Sequence, residues 1–463
     1  MKKLFIVITL FLFILSGCSN ENNDKELISD NKVGEKEISG EVNDDEVTIA
    51  IWHQDHHILQ IQFPMIVYET NKIKKETGVD IKYDIINAKD KQEFFKKLNT
   101  KLYLDKGPTL IYFYNTPISI YTESGVALKL EEKIENLDRV YDSIKDKNDY
   151  FVPIGMETEF IEINGYGASD LGIEEPDLSW SWKDYINIRD KWIKENKGKL
   201  KSYLISETYY HRFNQLDIID TENKRTNINT EEVKNTIKDL RSEFLEGKYN
   251  ISNDLKQEDY YKVCFGNTTK EERSGKYFSF VNRPQEYIYP YPWGNGLYVS
   301  VLNDLVRKNK IVMPNIKDKD ENLKLAGFLI NKNGKNIDKA IKFINYILSD
   351  EIQKYLYDTH KKVEARFYPV NKELENKITK FEKSQELSEK VLQLKEYQLE
   401  RIKTGKNKPN RVYKNENMSI FTLKNKLYKD IFKLIFADEE YSDSKLEGKL
   451  QELENQYNIY LNE

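Results

Sequence analysis

The chain has 463 residues, of which 32% are charged, with a formal net charge of −5; 12% are aromatic, including 31 tyrosines. No basic block dominates, which argues against nucleic acid as a partner. Residues 47–463 are too many for one compact core, so two domains are expected.

The amino-terminal segment carries Lys2 and Lys3, then an apolar run from Leu4 to Leu15. That run is shorter than the roughly 20 residues a membrane span needs, and the pattern is that of a secretory signal. It ends in Leu15-Ser16-Gly17-Cys18, which resembles a bacterial lipobox. The resemblance implies cleavage before Cys18, diacylation of that cysteine with a palmitate-type chain, and a cell-membrane location on the extracellular face. Two acyl chains anchor stably where one does not. Removing residues 1–17 takes away two lysines and no acids, so the formal charge moves from −5 to −7. Cys264 is then the one thiol left, and no disulfide can form within one mature chain. Residues 18–46, the lipidated cysteine and its polar continuation, contain no aromatic residue and read as a disordered tether. As a coil the tether would span roughly 30 Å.

From Val47 the pattern changes. Val47, Ile49 and Ile51 alternate up to Trp52, a strand. Ile61, Phe63, Met65, Ile66, Tyr68 and Ile73 follow before Gly78, a helix with a glycine stop whose start falls near Pro64. Residues 79–86 alternate as a second strand, and Phe94, Phe95, Leu98 and Leu102 recur at helical spacing. Residues 109–114 are a continuous apolar run, suited to a strand buried on both faces of a parallel sheet. Strand, helix, strand, helix, strand implies βαβ units. Later, Ile337, Ala340, Ile341, Ile344, Ile347 and Leu348 form a helical stripe, and Asp350 with Gln353 reads as the cap of a second short helix. The last ninety or so residues are mostly helical by the recurrence of Leu374, Ile378, Phe381, Leu387, Val391 and Leu394, then Leu446, Leu450, Leu453, Tyr457 and Leu461.

This order of features resembles the extracellular solute-binding proteins of ABC importers, in the branch that includes maltose-binding proteins. The resemblance lies in "ETGVDIKYDI" (76–85), "GPTLIYFYN" (107–115) and "ESGVALKLEEKI" (123–134). It is most specific in "VPIGMETEFIEINGYGASDLGIEEPDLSWSWKDYI" (152–186), with Asn164, Pro176 and Trp182 at the matching positions, and in "LKLAGFLINKNGKNIDKAIKFINYILSDEIQKYL" (323–356). It implies an α/β fold of the two-lobe, type 2 periplasmic-binding-protein kind, with a hinge, an interlobe cleft and a helical carboxyl-terminal region. The first lobe would take 47–153 plus 326–364 and the second 154–325 plus 365–463. Hinge crossings are expected near 152–157, 312–326 and 365–371. Closure about such a hinge traps ligands in proteins of this kind.

Ligands of a parallel sheet bind beyond the carboxyl ends of its strands. Loops after the first and third strands would therefore bring Trp52, Gln54, Asp55 and Asn115 to the cleft. Asp and Gln pair with hydroxyls, and Trp offers a flat face to a sugar ring. Glu157 and Glu159 follow a crossing and share a strand face. In "NRPQEYIYPYPWGNG" (282–296), Pro292-Trp293 resembles a stacking wall of maltose-binding relatives; Arg283, Tyr287 and Trp293 are the candidates there. Three of the five histidines, His53, His56 and His57, crowd beside Asp55, a weak metal-site pattern because no second ligand pair lies nearby. No metal or other cofactor is expected.

Catalytic signatures are missing: there is no Gly-x-Ser-x-Gly, no P-loop, no Gly-x-Gly-x-x-Gly and no His-Glu-x-x-His. Cys264 reads as packing. The expected function is that of a monomeric, lipid-anchored receptor, not an enzyme. It would capture a small solute, a carbohydrate by its aromatic and neutral polar residues, and pass it to ABC permease subunits. A surface sensor or interaction lipoprotein on the same fold is the alternative.

Overall fold

The computed structural model describes residues 46–103, 107–195, 209–210, 212–213, 216–220, 223–245, 255–266, 268–277, 295–316, 323–359, 367–413, 418–438 and 440–462. Among these, the strands are β1 Glu46–Trp52, β2 Asp80–Ile86, β3 Leu110–Tyr114, β4 Phe151–Thr158, β5 Phe160–Asn164, β6 Ile219–Asp220, β7 Arg225–Thr226, β8 Lys310–Pro314 and β9 Leu323–Ile330. The chain packs as two units. The larger draws on described residues of 46–195 and 295–422, and the smaller on those of 209–277 and 423–462.

In the larger unit, five strands form one sheet in the order β2-β1-β3-β9-β4. β1 lies parallel to β2 and β3, joined by the helices expected of βαβ units. β9 and β4 then add antiparallel, so the sheet is mixed rather than wholly parallel. Val47, Ile49, Ala50 and Ile51 of β1 are all fully buried, as a strand covered on both faces requires. The centre of β9 is crowded: a Cβ at Gly327 would lie 2.2 Å from the Val152 carbonyl, opposite a bulge between Pro153 and Gly155 in β4. Only glycine allows that approach.

Local chemistry explains the helix ends. Gly78, at φ 72°, takes the left-handed cap of the helix Thr70–Thr77, and its N–H donates to the Lys74 carbonyl at 2.8 Å. Asp90 caps Lys91–Leu102 by accepting from the Glu93 N–H at 2.8 Å, and Phe94, Phe95, Leu98 and Leu102 turn inward. Ala340, Phe343, Ile344 and Ile347 are the buried face of Ile337–Ile347. The next helix, Asp350–Thr359, starts at Asp350 itself, so Asp350 does not cap it; its carboxylate instead binds Arg139 at 2.7 Å and the Asn371 amide at 2.8 Å. Gln353, also expected at the cap, is fully buried and bridges the Ile154 carbonyl and the Val370 N–H.

β4 and β5 are separated by one residue, Glu159, and β5 pairs with β8 in a separate two-stranded sheet. The chain thus crosses from the large sheet to the small one at 158–160 and returns between β8 and β9. Asn295 pins the first crossing from a fully buried position. Its Oδ1 accepts from the Thr158 N–H (3.2 Å), the Thr158 hydroxyl (3.1 Å) and the Leu297 N–H (3.0 Å), and its amide donates to the Met156 carbonyl at 2.8 Å. Met156 also exchanges backbone hydrogen bonds with Tyr368. The expected crossing at 152–157 lies inside β4 instead, because that stretch stays paired with β9, and the change of sheet comes just after it.

The smaller unit holds the hairpin β6–β7 and the helices Glu231–Leu245, Gln257–Cys264, Lys270–Ser274 and Asp443–Asn462, with most of Met418–Ile435. Its core is aromatic: Tyr209, Phe213, Phe265, Tyr428, Phe432 and Phe436 pack ring against ring, Phe265 and Phe432 at 4.5 Å between centroids. Cys264 packs against this cluster, and burial pushes its thiol pKa up, away from the reactive thiolate.

Candidate functional site

The carboxyl ends of β1 and β3, the end of β4 and the start of β9 meet at one edge of the large sheet. His53 does not begin a loop: the helix His53–Gln62 starts immediately after Trp52, well before Pro64. Pro64 instead opens its own short helix, Pro64–Tyr68, and the break falls at Phe63. Proline at a first helical position is compatible with either start, so the sequence pattern alone misplaced it.

Helical spacing puts Asp55 in the first turn, where the helix dipole favours a carboxylate. Asp55 is nonetheless buried, at 4% exposure. Desolvation raises its carboxyl pKa above the ordinary value, opposed by the Lys91 charge, a hydrogen bond from the Tyr114 backbone and the charge of His53. Lys91 is itself held: its ammonium donates to the Thr116 hydroxyl at 2.5 Å and the Tyr114 carbonyl at 3.3 Å. It also lies 5.7 Å from the Trp52 ring centroid.

Around Asp55 several polar atoms are buried without a hydrogen-bond partner among the described residues: His53 Nδ1, the Tyr112 hydroxyl and Asn115 Oδ1. Asn115 sits in the left-handed region at φ 45°, with its N–H bonded to the Leu325 carbonyl at 2.8 Å. Tyr112 is fully buried and feels the Asp55 charge. Orphaned buried polar atoms are rare and call for a partner such as water or ligand.

A second polar chain lies at the same edge. The Tyr114 hydroxyl donates to Glu157. Lys324 pairs with Glu157 at 3.0 Å and with Glu159 at 2.9 Å, and the Asn315 amide donates to Glu159 at 2.6 Å. Burial disfavours the Lys324 charge, but the two carboxylates outweigh it and raise its pKa.

The sequence-predicted residues therefore divide. Asp55 and Asn115 follow the carboxyl ends of the neighbouring strands β1 and β3, and Glu157 and Glu159 share a face but spend their charge on Lys324. Trp52 is no open stacking platform: it is 8% exposed, packs on Phe94, and donates its indole N–H to the Ala88 carbonyl at 3.0 Å. Gln54 and His57 are exposed, while His56 is half-buried, edge-on to Tyr83. Burial and then neighbouring His57 lower the His56 pKa. Among the described residues no three His, Cys, Asp or Glu side chains gather as metal ligands. Arg283, Tyr287, Trp293 and Cys18 lie outside the described residues. Lys91, Tyr112, Tyr114 and Lys324 were missed. The alternation that puts Tyr112 and Tyr114 on one face of "LIYFYN" was the available signal; Lys324 had none short of knowing its strand partner.

Residues 70–387 match the family model described as bacterial extracellular solute-binding protein. No curated protein matches the chain. Among solved structures, an ABC transporter solute-binding protein from Thermotoga lettingae TMO bound with α-D-tagatose is 13% identical, with a TM-score of 0.53, covering 90% of this chain and 100% of that one. One from Agrobacterium vitis S4 with bound D-mannitol is 12% identical, with a TM-score of 0.54 and coverage of 90% and 98%. One from Agrobacterium radiobacter K84 in complex with ribitol is 14% identical, with a TM-score of 0.51 and coverage of 89% and 98%. At these identities the structures speak to the fold, which is mixed α/β and of the periplasmic solute-binding kind. With its match spanning well over half its length, the chain belongs to the bacterial extracellular solute-binding protein family.

Proposed function

We propose that this protein is a lipid-anchored receptor that captures a carbohydrate or polyol outside the cell and hands it to the permease of an ABC importer. The observation that carries the reading is the sheet-edge cluster: a desolvated Asp55 beside unpartnered Asn115 Oδ1, His53 Nδ1 and Tyr112 hydroxyl. Hydroxyl-rich solutes supply the donors and acceptors these atoms lack, without the charge that an amino acid or peptide would bring. The solutes named in the three similar structures are all hydroxyl-rich. In this reading Asp55 and Asn115 form the first-lobe wall with Gln54 at its rim, and Trp52 supports them from below. Arg283, Tyr287 and Trp293, outside the described residues, remain candidates for solute contact by the family resemblance. In this reading the first lobe takes 47–153 plus 326–364, and the junction at 158–160 with the return between β8 and β9 acts as the hinge. Cys18 carries the anchor; among the described residues no helix is long and apolar enough to cross a membrane. The receptor binds and releases its solute without turnover and works as a monomer.

The test is a thermal-shift screen of the mature chain against tagatose, mannitol, ribitol, maltose and maltotriose, followed by calorimetry on any stabilising solute. Binding at micromolar affinity or tighter, lost in Asp55→Ala, is the expected result. A screen in which amino acids or peptides stabilise and no hydroxylated solute does would overturn the carbohydrate reading.

A further inference from the structure

We infer that Lys324 is a positioning residue, a latch that ties together the two strand crossings on which solute capture turns. The inference rests on the hinge part of the proposed function, but not on the identity of the solute. Its geometry is specific. Lys324 lies on β9 directly opposite Glu157 on β4, an ordinary cross-strand pair. Its ammonium also takes Glu159, the one residue between β4 and β5, which no ladder requires. Asn315, just past β8, holds the other oxygen of Glu159. On the far side, Glu157 accepts from the hydroxyl of Tyr114, the last residue of β3.

One chain of contacts therefore runs Tyr114, Glu157, Lys324, Glu159, Asn315. It links the edge of the large sheet to the start of the small sheet through both crossing segments. Glu157 is nearly fully buried, which makes its charge-assisted bonds strong and their loss costly. A bend at the single-residue junction must move Glu159 and Asn315 relative to Glu157 and Lys324. The ammonium contacts both carboxylates at about the ideal separation, so such a bend lengthens at least one contact. Lys324 thereby favours one arrangement of the two sheets and sets how readily the other is reached. Tyr114 also ends the strand that leads into Asn115, so the latch abuts the proposed solute site.

The test is hydrogen–deuterium exchange with mass spectrometry on the full chain without solute, comparing wild type, Lys324→Met, Lys324→Arg and Asn315→Ala. Removing charge-assisted hydrogen bonds should speed exchange at 157–164 and 310–316 on the order of tenfold in Lys324→Met, and less in Asn315→Ala. Lys324→Arg keeps the charge and should stay near wild type. β1 and β2 should be unaffected in all three. Unchanged exchange at the crossings in both Lys324→Met and Asn315→Ala overturns the assignment. So does equal acceleration in β1 and β2, which marks general destabilisation. Because no solute is present, a failed carbohydrate screen leaves this result untouched.

Discussion

Asn295→Ala isolates the contribution of one buried side chain to the first crossing. Asn295 is fully buried and serves four groups, two of which depend on it heavily: the backbone N–H groups of Thr158 and Leu297. The Met156 carbonyl keeps a second partner in the Tyr368 N–H at 2.7 Å. A buried donor left without an acceptor costs about 1–3 kcal/mol, so two stranded N–H groups cost about 2–6 kcal/mol. Water entering the space vacated by the amide relieves part of that, which places the loss near 3 kcal/mol, or about a hundredfold in the folding equilibrium. Asn303→Ala is the control: Asn303 is similarly buried, but the bond at stake is the one from the Ser388 N–H at 3.0 Å, worth about 1 kcal/mol. Urea unfolding of both variants, followed by tryptophan fluorescence, measures the difference. If Asn295→Ala loses no more than Asn303→Ala, the crossing is not held by Asn295 and the reasoning fails.

Two further outcomes follow from buried charge. Asp55 has a raised pKa in the folded chain, so folding its ionised form costs stability above that pKa, and the cost fades as falling pH protonates the folded carboxyl. Asp55→Asn should therefore raise the melting temperature at pH 7, with the gain shrinking toward pH 4.5, while solute binding is lost; a variant less stable than wild type at pH 7 would contradict this. Glu382 and Lys395 are paired with side chains 1% and 3% exposed, and the Tyr357 hydroxyl donates to Glu382 at 2.8 Å. Lys395→Met strands that carboxylate and should cost about 3–5 kcal/mol in urea unfolding, while Glu382→Gln with Lys395→Met should cost far less than the sum of the single changes; strict additivity would count against a coupled pair.

The sequence carried the parts of the fold that depend on local pattern. Residues 47–52, 80–86 and 110–114 alternate or run apolar and are strands, and the glycine stop at Gly78 holds because only a left-handed cap fits there. What local pattern cannot hold is who pairs with whom. β9 and β4 complete the large sheet antiparallel, a relation between residues far apart in the chain. The site shows the same division. That Asp55 and Asn115 follow the carboxyl ends of neighbouring strands was legible, because the strands themselves were. Lys324 and Asn295 act through partners more than a hundred residues away, and Trp52 lost its expected role to tertiary packing against Phe94 and Ala88. The helix at His53 was hidden because Pro64 supplied a stronger start signal than any residue before it.

The central claim is that a hydroxylated solute occupies the sheet edge at Asp55 and Asn115. Native mass spectrometry of the mature protein purified without added solute, with release by denaturation, tests it most directly. The account predicts a bound mass matching a carbohydrate or polyol in wild type and its absence in both Asp55→Ala and Asn115→Ala. A released amino acid or peptide, or a carbohydrate retained at full occupancy by both variants, would contradict it.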